Sequence, residues 1–435
     1  MTSAGRWRAF DEPLRALFES GRLSNALSLT IVGTAFTTFA LLKLMGWPGL
    51  IGVLGTLVVL SVASFAAHRA AIEWQGLLPI SLLVFVIWSA LSTAWSSDPG
   101  TTLASALYQW SWAFLGIYLA LVRDTIQVVR VVGDVLRFLL TLSLALEVLS
   151  GLLIDMPIAF LGIEGNIAHL GPIQGLFGSR NALALVSVIA LVTFFVEWRT
   201  RSVTRGRAAY SLPLAVICLL LTRSPVAAVV IVVVVAAALA LSLLRGVADE
   251  RRRFSWQVTL AVASVVVGIV AWALRDPIIA ALDAGHALNV RHALWIRMWD
   301  LTKVHPLIGW GWAGIWRDDQ APFVIADLLV GGEHQNGLNA YLDVLLQLGA
   351  AGLLLFGVLV VLALGRSWLI ASNKRSVIHT WAPLVLIALL ATSATESVTL
   401  VDYGWLLLVV CTVKASQNMS WRNALPHAPA GPALR

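Results

Sequence analysis

Long apolar runs separated by short polar breaks occupy the chain from residue 26 to residue 416. Most of the runs have the length of a bilayer crossing, since a helix needs about 20 apolar residues to span roughly 30 Å of hydrocarbon. Twelve segments stand out: 26–45, 47–67, 77–95, 104–122, 131–154, 180–198, 209–223, 225–244, 255–274, 338–364, 378–395 and 399–416. Apolar residues are nearly continuous within them. That excludes a membrane β-barrel, whose strands alternate polar and apolar at every second residue. The pattern predicts an all-α polytopic membrane protein with about 12 transmembrane helices and no internal repeat. One inter-span segment, 275–337, is far longer than the others. The expected organisation is a tail over 1–25, helices one to nine over 26–274, a single large loop carrying surface helices over 275–337, helices ten to twelve over 338–416, and a second tail over 417–435. The opening stretch MTSAGRWRAFDEPLRALFESGRLSN is charged and lacks a short apolar core with a cleavage site. It is expected to be a retained tail and not a signal peptide.

Composition agrees. The 435 residues are 59% hydrophobic and 12% charged, with mean hydropathy +0.85. A soluble fold of this length could not bury that much apolar surface. Cys218 and Cys411 both fall in apolar spans without a CxxC partner. A disulfide scaffold or thiolate metal site is therefore not expected.

Charge orients the spans. Twenty-two of the 30 Lys and Arg residues fall on one set of loops and tails, including Arg199, Arg201, Arg205 and Arg207. By the positive-inside rule this set is cytoplasmic, which puts both termini inside. The sequence pI of about 9.9 is then mainly a topology signal and calls for no nucleic-acid partner. The remaining cations are the informative ones: Lys43, Arg180, Arg223 and, in segment 275–337, Arg275, Arg291, Arg297, Lys303 and Arg317. Topology disfavours them on the outer face.

Segment 275–337 also holds His286, His292, His305 and His334, and Trp295, Trp299, Trp310, Trp312 and Trp316. Tryptophan favours the membrane–water boundary, so these indoles are read mainly as anchors. The stretch NVRHALWIRMWDLTKVHP places His292, Trp295 and Trp299 at helical spacing, predicting a helix along the outer surface that stops at Pro306. LIGWGWAGIW follows as a glycine-broken turn. The segment is expected to be a partly folded cap, with Asp318-Asp319 in a solvated turn. Glu147, inside span five, is costly in lipid and must face protein or water.

Four segments give the chain a resemblance to the O-antigen ligase and O-antigen polymerase superfamily of bacterial inner membranes. ALSTAWSSDPGTTL (90–103) is similar to the family's Trp-Ser-x-Asp-Pro loop. GLFGSRNALAL (175–185) is similar to its Gly-x-Phe-x-x-x-Asn entry into a span. RHALWIRMWDLTKVHPLIGWGWAGI (291–315) is similar to Arg-x-x-x-Trp followed by Pro-x-x-Gly-x-Gly. GGEHQNGLNAYLDVLLQLGAAG (331–352) resembles a histidine followed by an amide, nine residues and Gly-x-x-Gly. The last segment departs from that pattern. Strict spacing from Gly349 puts Asn339 in the amide position and Leu338 in the histidine position, whereas the histidine is His334, followed by Gln335. If the helix extends far enough, His334 and Leu338 share a face one turn apart.

The resemblance implies transfer of a polysaccharide from undecaprenyl diphosphate to an acceptor hydroxyl on the periplasmic face of the inner membrane, without a cofactor. For a ligase the acceptor is a sugar of lipid A–core; for a polymerase it is another glycan repeat. The residue types suit that chemistry. Forked arginines bind a diphosphate by paired, charge-assisted hydrogen bonds. Arg180, Arg291, Arg223 and Arg297 are the candidates. Arg180 stands at the expected N-terminus of span six, where free N–H groups also favour an anion. His334 is the candidate base, with Glu333, Asn336 and Trp295 as supporting residues. The plain alternative is that an arginine at a span end is a snorkelling anchor. No acidic pair on the outer side has metal-ligand spacing, so the expected reaction is a metal-independent inverting displacement. The single large loop favours a ligase over a polymerase. A protein-targeting oligosaccharyltransferase would carry a larger C-terminal part. The rival of another class is a lipid-linked glycan transporter, which would show broken helices or paired charges near mid-membrane.

Overall fold

A computed structural model describes residues 18–68, 79–273, 285–331 and 334–418. Most of both expected tails, and Glu333, lie outside the described residues. Fourteen α-helices are described: α1 Gly21–Phe36, α2 Thr38–His68, α3 Ile80–Leu91, α4 Pro99–Val122, α5 Thr125–Val148, α6 Arg180–Thr200, α7 Arg205–Leu221, α8 Pro225–Gly246, α9 Glu250–Ala273, α10 Gly285–Thr302, α11 Phe323–Val330, α12 Ala340–Asn373, α13 Trp381–Thr392 and α14 Asp402–Asn418. Among the described residues there is no β-strand, only an isolated bridge between Ile158 and Ile163. Seven helical stretches are long and apolar enough to cross a membrane; α3 and α13, with their flanking 3₁₀ turns, are apolar but shorter.

Each expected apolar segment contains helix, but the first boundary moves. Spans one and two were expected to meet near residue 46. The chain breaks first at Thr37 and then at Gly46, where φ is +67° and Pro48 follows. Residues 38–45 therefore form a short helical cap on the turn. Similar apolar helices also occupy opposite environments. α14 is buried on every side from Gly404 to Ala415, as an all-round apolar helix at a bundle centre should be. It packs on α4, α12 and α13. In α9 none of the most apolar window is buried.

We call the end where α4, α6, α8, α12 and α14 begin the upper end, and the other the lower end. At the upper end, α12 is 34 residues long, about 51 Å of helix and well beyond a bilayer's hydrocarbon thickness. It is interrupted at Gly349 (φ +68°, ψ −171°), nine residues past its start. The break leaves backbone groups unpaired, and the segment after α10 supplies their partners. Trp310 N–H donates to Leu346 O (3.1 Å) and Gly311 N–H to Gln347 O (2.8 Å); Ala350 N–H donates to Pro306 O (2.8 Å) and Ala351 N–H to Leu307 O (3.2 Å). The backbones touch so closely that a Cβ on Gly309 would lie 2.4 Å from Gln347 backbone atoms, and one on Gly349 2.3 Å from those of Leu307. The Pro-x-x-Gly-x-Gly and Gly-x-x-Gly stretches are thus two halves of one lock.

The Trp-Ser-Ser-Asp-Pro loop clamps the same segment from the other side. Trp95 Nε1 donates to Ile308 O (3.0 Å), and Trp312 N–H donates to Ser92 Oγ (2.9 Å). Asp98 caps α4 by accepting from Thr101 N–H (3.1 Å), and it also accepts from Gln320 Nε2. The Thr101 amide and hydroxyl hold the Asp98 carboxyl below its ordinary range. Glu147 faces protein: Oε1 accepts from the N–H groups of Gln174 (3.0 Å) and Gly175 (2.9 Å), positioning the turn into α6.

Candidate functional site

The loop between α11 and α12 and the turn between α13 and α14 meet at the upper end. The start of α12 makes that meeting. Asn339 caps the helix by accepting from the N–H groups of Tyr341 (3.0 Å) and Leu342 (3.2 Å), while its Nδ2 donates to Ala394 O (3.1 Å). Ala340 N–H donates to Ser393 O (2.9 Å). One turn later, the fully buried Asp343 accepts from Trp316 Nε1 (2.7 Å), Gly337 N–H (2.9 Å), Gln347 Nε2 (2.9 Å) and Ser397 Oγ (2.6 Å). Gln347 Oε1 in turn accepts from the N–H groups of Ala313 and Gly314, both at 2.9 Å. These two buried polar side chains tie the 313–316 segment, the histidine loop and the 393–397 turn to one helix. The buried Asp343 carboxylate and Gln347 amide are tolerated here because each is hydrogen-bonded.

His334 lies in that loop, not on the helix. α12 begins at Ala340, and Leu338 has φ +49°, so the expected shared helical face of His334 and Leu338 does not exist. The reason is local. Asn336 Oδ1 accepts from Leu338 N–H (2.9 Å), forming a turn that competes with helix before the Asn339 cap. The His334 side chain is 13% exposed, and its Nδ1 is 2.7 Å from Asp327 Oδ1. Asp327 Oδ2 also accepts from the His334 backbone N–H (3.3 Å). Against an ionised carboxylate Nδ1 carries the hydrogen, which leaves Nε2 as the acceptor. Nε2 has no partner among the described residues. Trp295 on α10 donates to Gly337 O (3.0 Å) and so supports the loop.

Arg291 projects from α10 and is 8% exposed. Its Nη2 is 2.8 Å from Glu396 Oε1, and its Nε donates to Thr395 O (3.2 Å). Glu396 Oε1 also accepts from Asn181 Nδ2 (2.7 Å), and Asn181 Oδ1 accepts from Ser224 Oγ (2.7 Å). A chain of polar contacts therefore runs from α10 through the 393–397 turn to the starts of α6 and α8. Arg180 is the first residue of α6, half-buried, with no ion pair or hydrogen bond among the described residues. Ser179 caps the helix through Ala182 N–H (3.1 Å), which leaves the Arg180 and Asn181 N–H groups without partners among those residues.

Two expected arginines are placed differently. Arg297 is on another face of α10 from Arg291, exposed and 3.9 Å from Asp300, whose carboxyl Lys303 holds below its ordinary range. Arg223 is exposed at φ +44° and donates to His169 O (3.2 Å). Its neighbour Ser224 is the residue that joins the polar chain. Two of the five tryptophans also differ from expectation. Trp312 and Trp316 are buried in protein, Trp316 stacked on Phe323 at 4.9 Å, and do not anchor at a boundary. Asp318 and Asp319 are exposed as expected, with Asp319 paired to Arg317 at 3.2 Å.

Sequence reasoning missed Asp327, Asp343, Gln347, Asn181 and Glu396. The one available signal for Glu396 was a single acid in the polar stretch TSATES between the last two apolar runs. Asp343 and Gln347, at i and i+4 in an apolar helix, also mark a polar stripe that must meet partners.

Residues 208–357 match the family model described as O-antigen ligase. The match runs from Ala208 within α7 past the Gly309–Gly349 lock, including Arg223, Arg291, Asp327 and His334, and supports the O-antigen ligase and polymerase superfamily and a membrane glycosyl-transfer enzyme of that kind. Arg180 and the 393–397 turn lie outside it. No curated protein matches the chain.

Proposed function

We propose that the protein is an O-antigen ligase, transferring a polysaccharide from undecaprenyl diphosphate to a sugar hydroxyl of lipid A–core on the periplasmic face of the inner membrane. The observation that carries this reading is the His334 ring. Its Nδ1 is held by Asp327, its Nε2 is unpartnered among the described residues, and its loop is tied through Asp343 and Ser397 to the turn that holds Arg291. In this reading Nε2 takes the acceptor proton as the hydroxyl oxygen attacks the anomeric carbon. The bond from that carbon to the diphosphate oxygen breaks on the opposite face, so configuration inverts. Arg180, with the free N–H groups at the start of α6, and Arg291 receive the charge that develops on the diphosphate. Arginines rather than a metal ion carry that charge. Glu396 orients Arg291, and Asn181 fixes Glu396.

Purified protein mixed with lipid-linked glycan and rough lipopolysaccharide, without added metal, is expected to form high-mass lipopolysaccharide, and His334→Ala to abolish it. Extension of the lipid-linked glycan would identify a polymerase instead. No product from either mixture would overturn the enzyme reading in favour of transport.

A further inference from the structure

At the lower end, α6 and α7 form a hairpin closed by the stretch RTRSVTRGR, residues 199–207. An open groove of about 310 Å³ lies against it, lined by Trp198 of α6 and Arg205, Ala208, Ala209, Leu212 and Pro213 of α7. Two alanines one residue apart leave the space; Leu212 and Pro213 give it an apolar floor. Trp198 is exposed and packs against Phe195, with ring centroids 5.9 Å apart. Arg205 stands at the polar rim.

An arginine-rich turn at a helix end is the ordinary product of membrane topology. Here the charges divide unequally. Arg207 is 3.4 Å from Asp134. Arg199, Arg201 and Arg205 are exposed and have no ion pair or side-chain hydrogen bond among the described residues. Arg130 adds a further cation by donating to Ser202 O (3.2 Å). The nearby acids, Asp134 and Glu197, are already taken by Arg137 and Arg207. The turn therefore carries uncompensated positive charge, and one of its three cations, Arg205, lines the apolar groove itself.

We propose that this groove binds an anionic phospholipid of the surrounding bilayer, with the phosphate held by Arg199, Arg201 and Arg205 and the start of an acyl chain against Ala209, Leu212 and Pro213. A zwitterionic lipid would satisfy the slot but not the three cations, and free phosphate would satisfy the cations but not the slot. Cationic pockets between membrane helices select anionic headgroups by this charge match. The site is far along the helices from His334 and does not depend on the reaction proposed above.

The test is native mass spectrometry of the purified full-length chain, reconstituted with phosphatidylglycerol or phosphatidylcholine and then delipidated stepwise. The wild type is expected to retain phosphatidylglycerol and release phosphatidylcholine. The triple variant Arg199→Gln, Arg201→Gln, Arg205→Gln should retain it on the order of 100-fold less well, since each surface cation contributes about a fivefold preference near an anionic headgroup. Ala209→Trp fills the slot while leaving every charge in place, and should also lose the lipid. Equal retention of both lipids by the wild type would overturn the proposal. So would displacement by inorganic phosphate alone, or an Ala209→Trp protein that retains lipid normally, because either result describes a diffuse charged surface and not a groove.

Discussion

Two buried arginine–glutamate pairs stand at opposite ends of the bundle. At the lower end, Arg137 is 7% exposed and Glu197 fully buried. All three guanidinium nitrogens of Arg137 have acceptors, from Ser211 Oγ, Asp134 Oδ1 and Glu197 Oε2, and the group lies 5.0 Å from the Phe194 ring. Glu197 Oε1 has no donor, but it is sealed against Gly133. At the upper end, Arg291 is equally buried, yet Glu396 is 21% exposed, and it bonds Asn181 at the start of α6, where the Arg180 side chain and the first N–H groups have no partner among the described residues. Nε2 of His334, whose loop joins the same network, is left over as well. The lower cluster leaves over only the Glu197 Oε1 atom, which is buried out of a ligand's reach, and joins α5, α6 and α7. The upper one keeps capacity for a ligand. The presence of buried charge does not separate a site from a clamp; what remains unsatisfied does.

That contrast can be broken experimentally, beginning where the effect is largest. His334→Ala should lower glycan transfer by about 10²–10⁴-fold, the range of a lost general base, while the protein purifies and unfolds as the wild type does. Initial rates on lipid-linked glycan measure it, and unchanged rates would remove His334 from the chemistry. Glu197→Ala should do the reverse. It removes one of the three acceptors of the buried Arg137 guanidinium at a cost of about 1–3 kcal/mol, read as a lower unfolding midpoint, with the rate per folded molecule retained. A selective loss of transfer in that variant would collapse the distinction between the two ends. Asp327→Asn should lower kcat by about 10–100-fold with little change in KM, because the ring loses the carboxylate that sets its tautomer and angle. A variant with KM raised and kcat intact would make Asp327 a mere loop fastener. The smallest effect belongs to the Asp98 cap. Its carboxyl titrates below the ordinary value in the fold, so its stabilising contribution is present above the ordinary Asp range, near pH 4. That contribution is lost as pH falls through the lower, folded value. Asp98→Asn should flatten that acid limb in a thermal-stability profile.

Much of the helical scaffold was readable because apolar length is a local property. Gly46 separated two runs in the sequence and breaks α2 in the structure. What could not be read was partnership. α9 and α14 look alike as strings of apolar residues, and only the fold shows one on the outside and the other at the centre. The histidine's partner was sought in the adjacent Glu333, whereas Asp327, seven residues away, reaches it because α11 turns the chain back. Arg291 was legible as a cation in the one long inter-span segment. Its carboxylate, Glu396, is 105 residues downstream, and spacing along one chain carries no information about such a contact. Arg297, grouped with Arg291 by proximity in sequence, lies on another face because six residues are not a whole number of helical turns.

The Gly309–Gly349 lock gives the chain a fixed origin for measuring distance. From Gly349 back to the Asn339 cap the ruler is helix, rigid at about 1.5 Å and 100° per residue. One residue inserted there would turn the cap, Asp343 and the whole 393–397 contact out of phase with the lock. Upstream of Asn339 the ruler becomes cord: a turn at Asn336, then the short α11. Residues can be gained or lost in that stretch without rotating anything, provided Asp327 still meets the ring. A histidine four positions from its expected place is therefore compatible with the role proposed for His334. The displacement falls on the one stretch where counting residues does not measure distance.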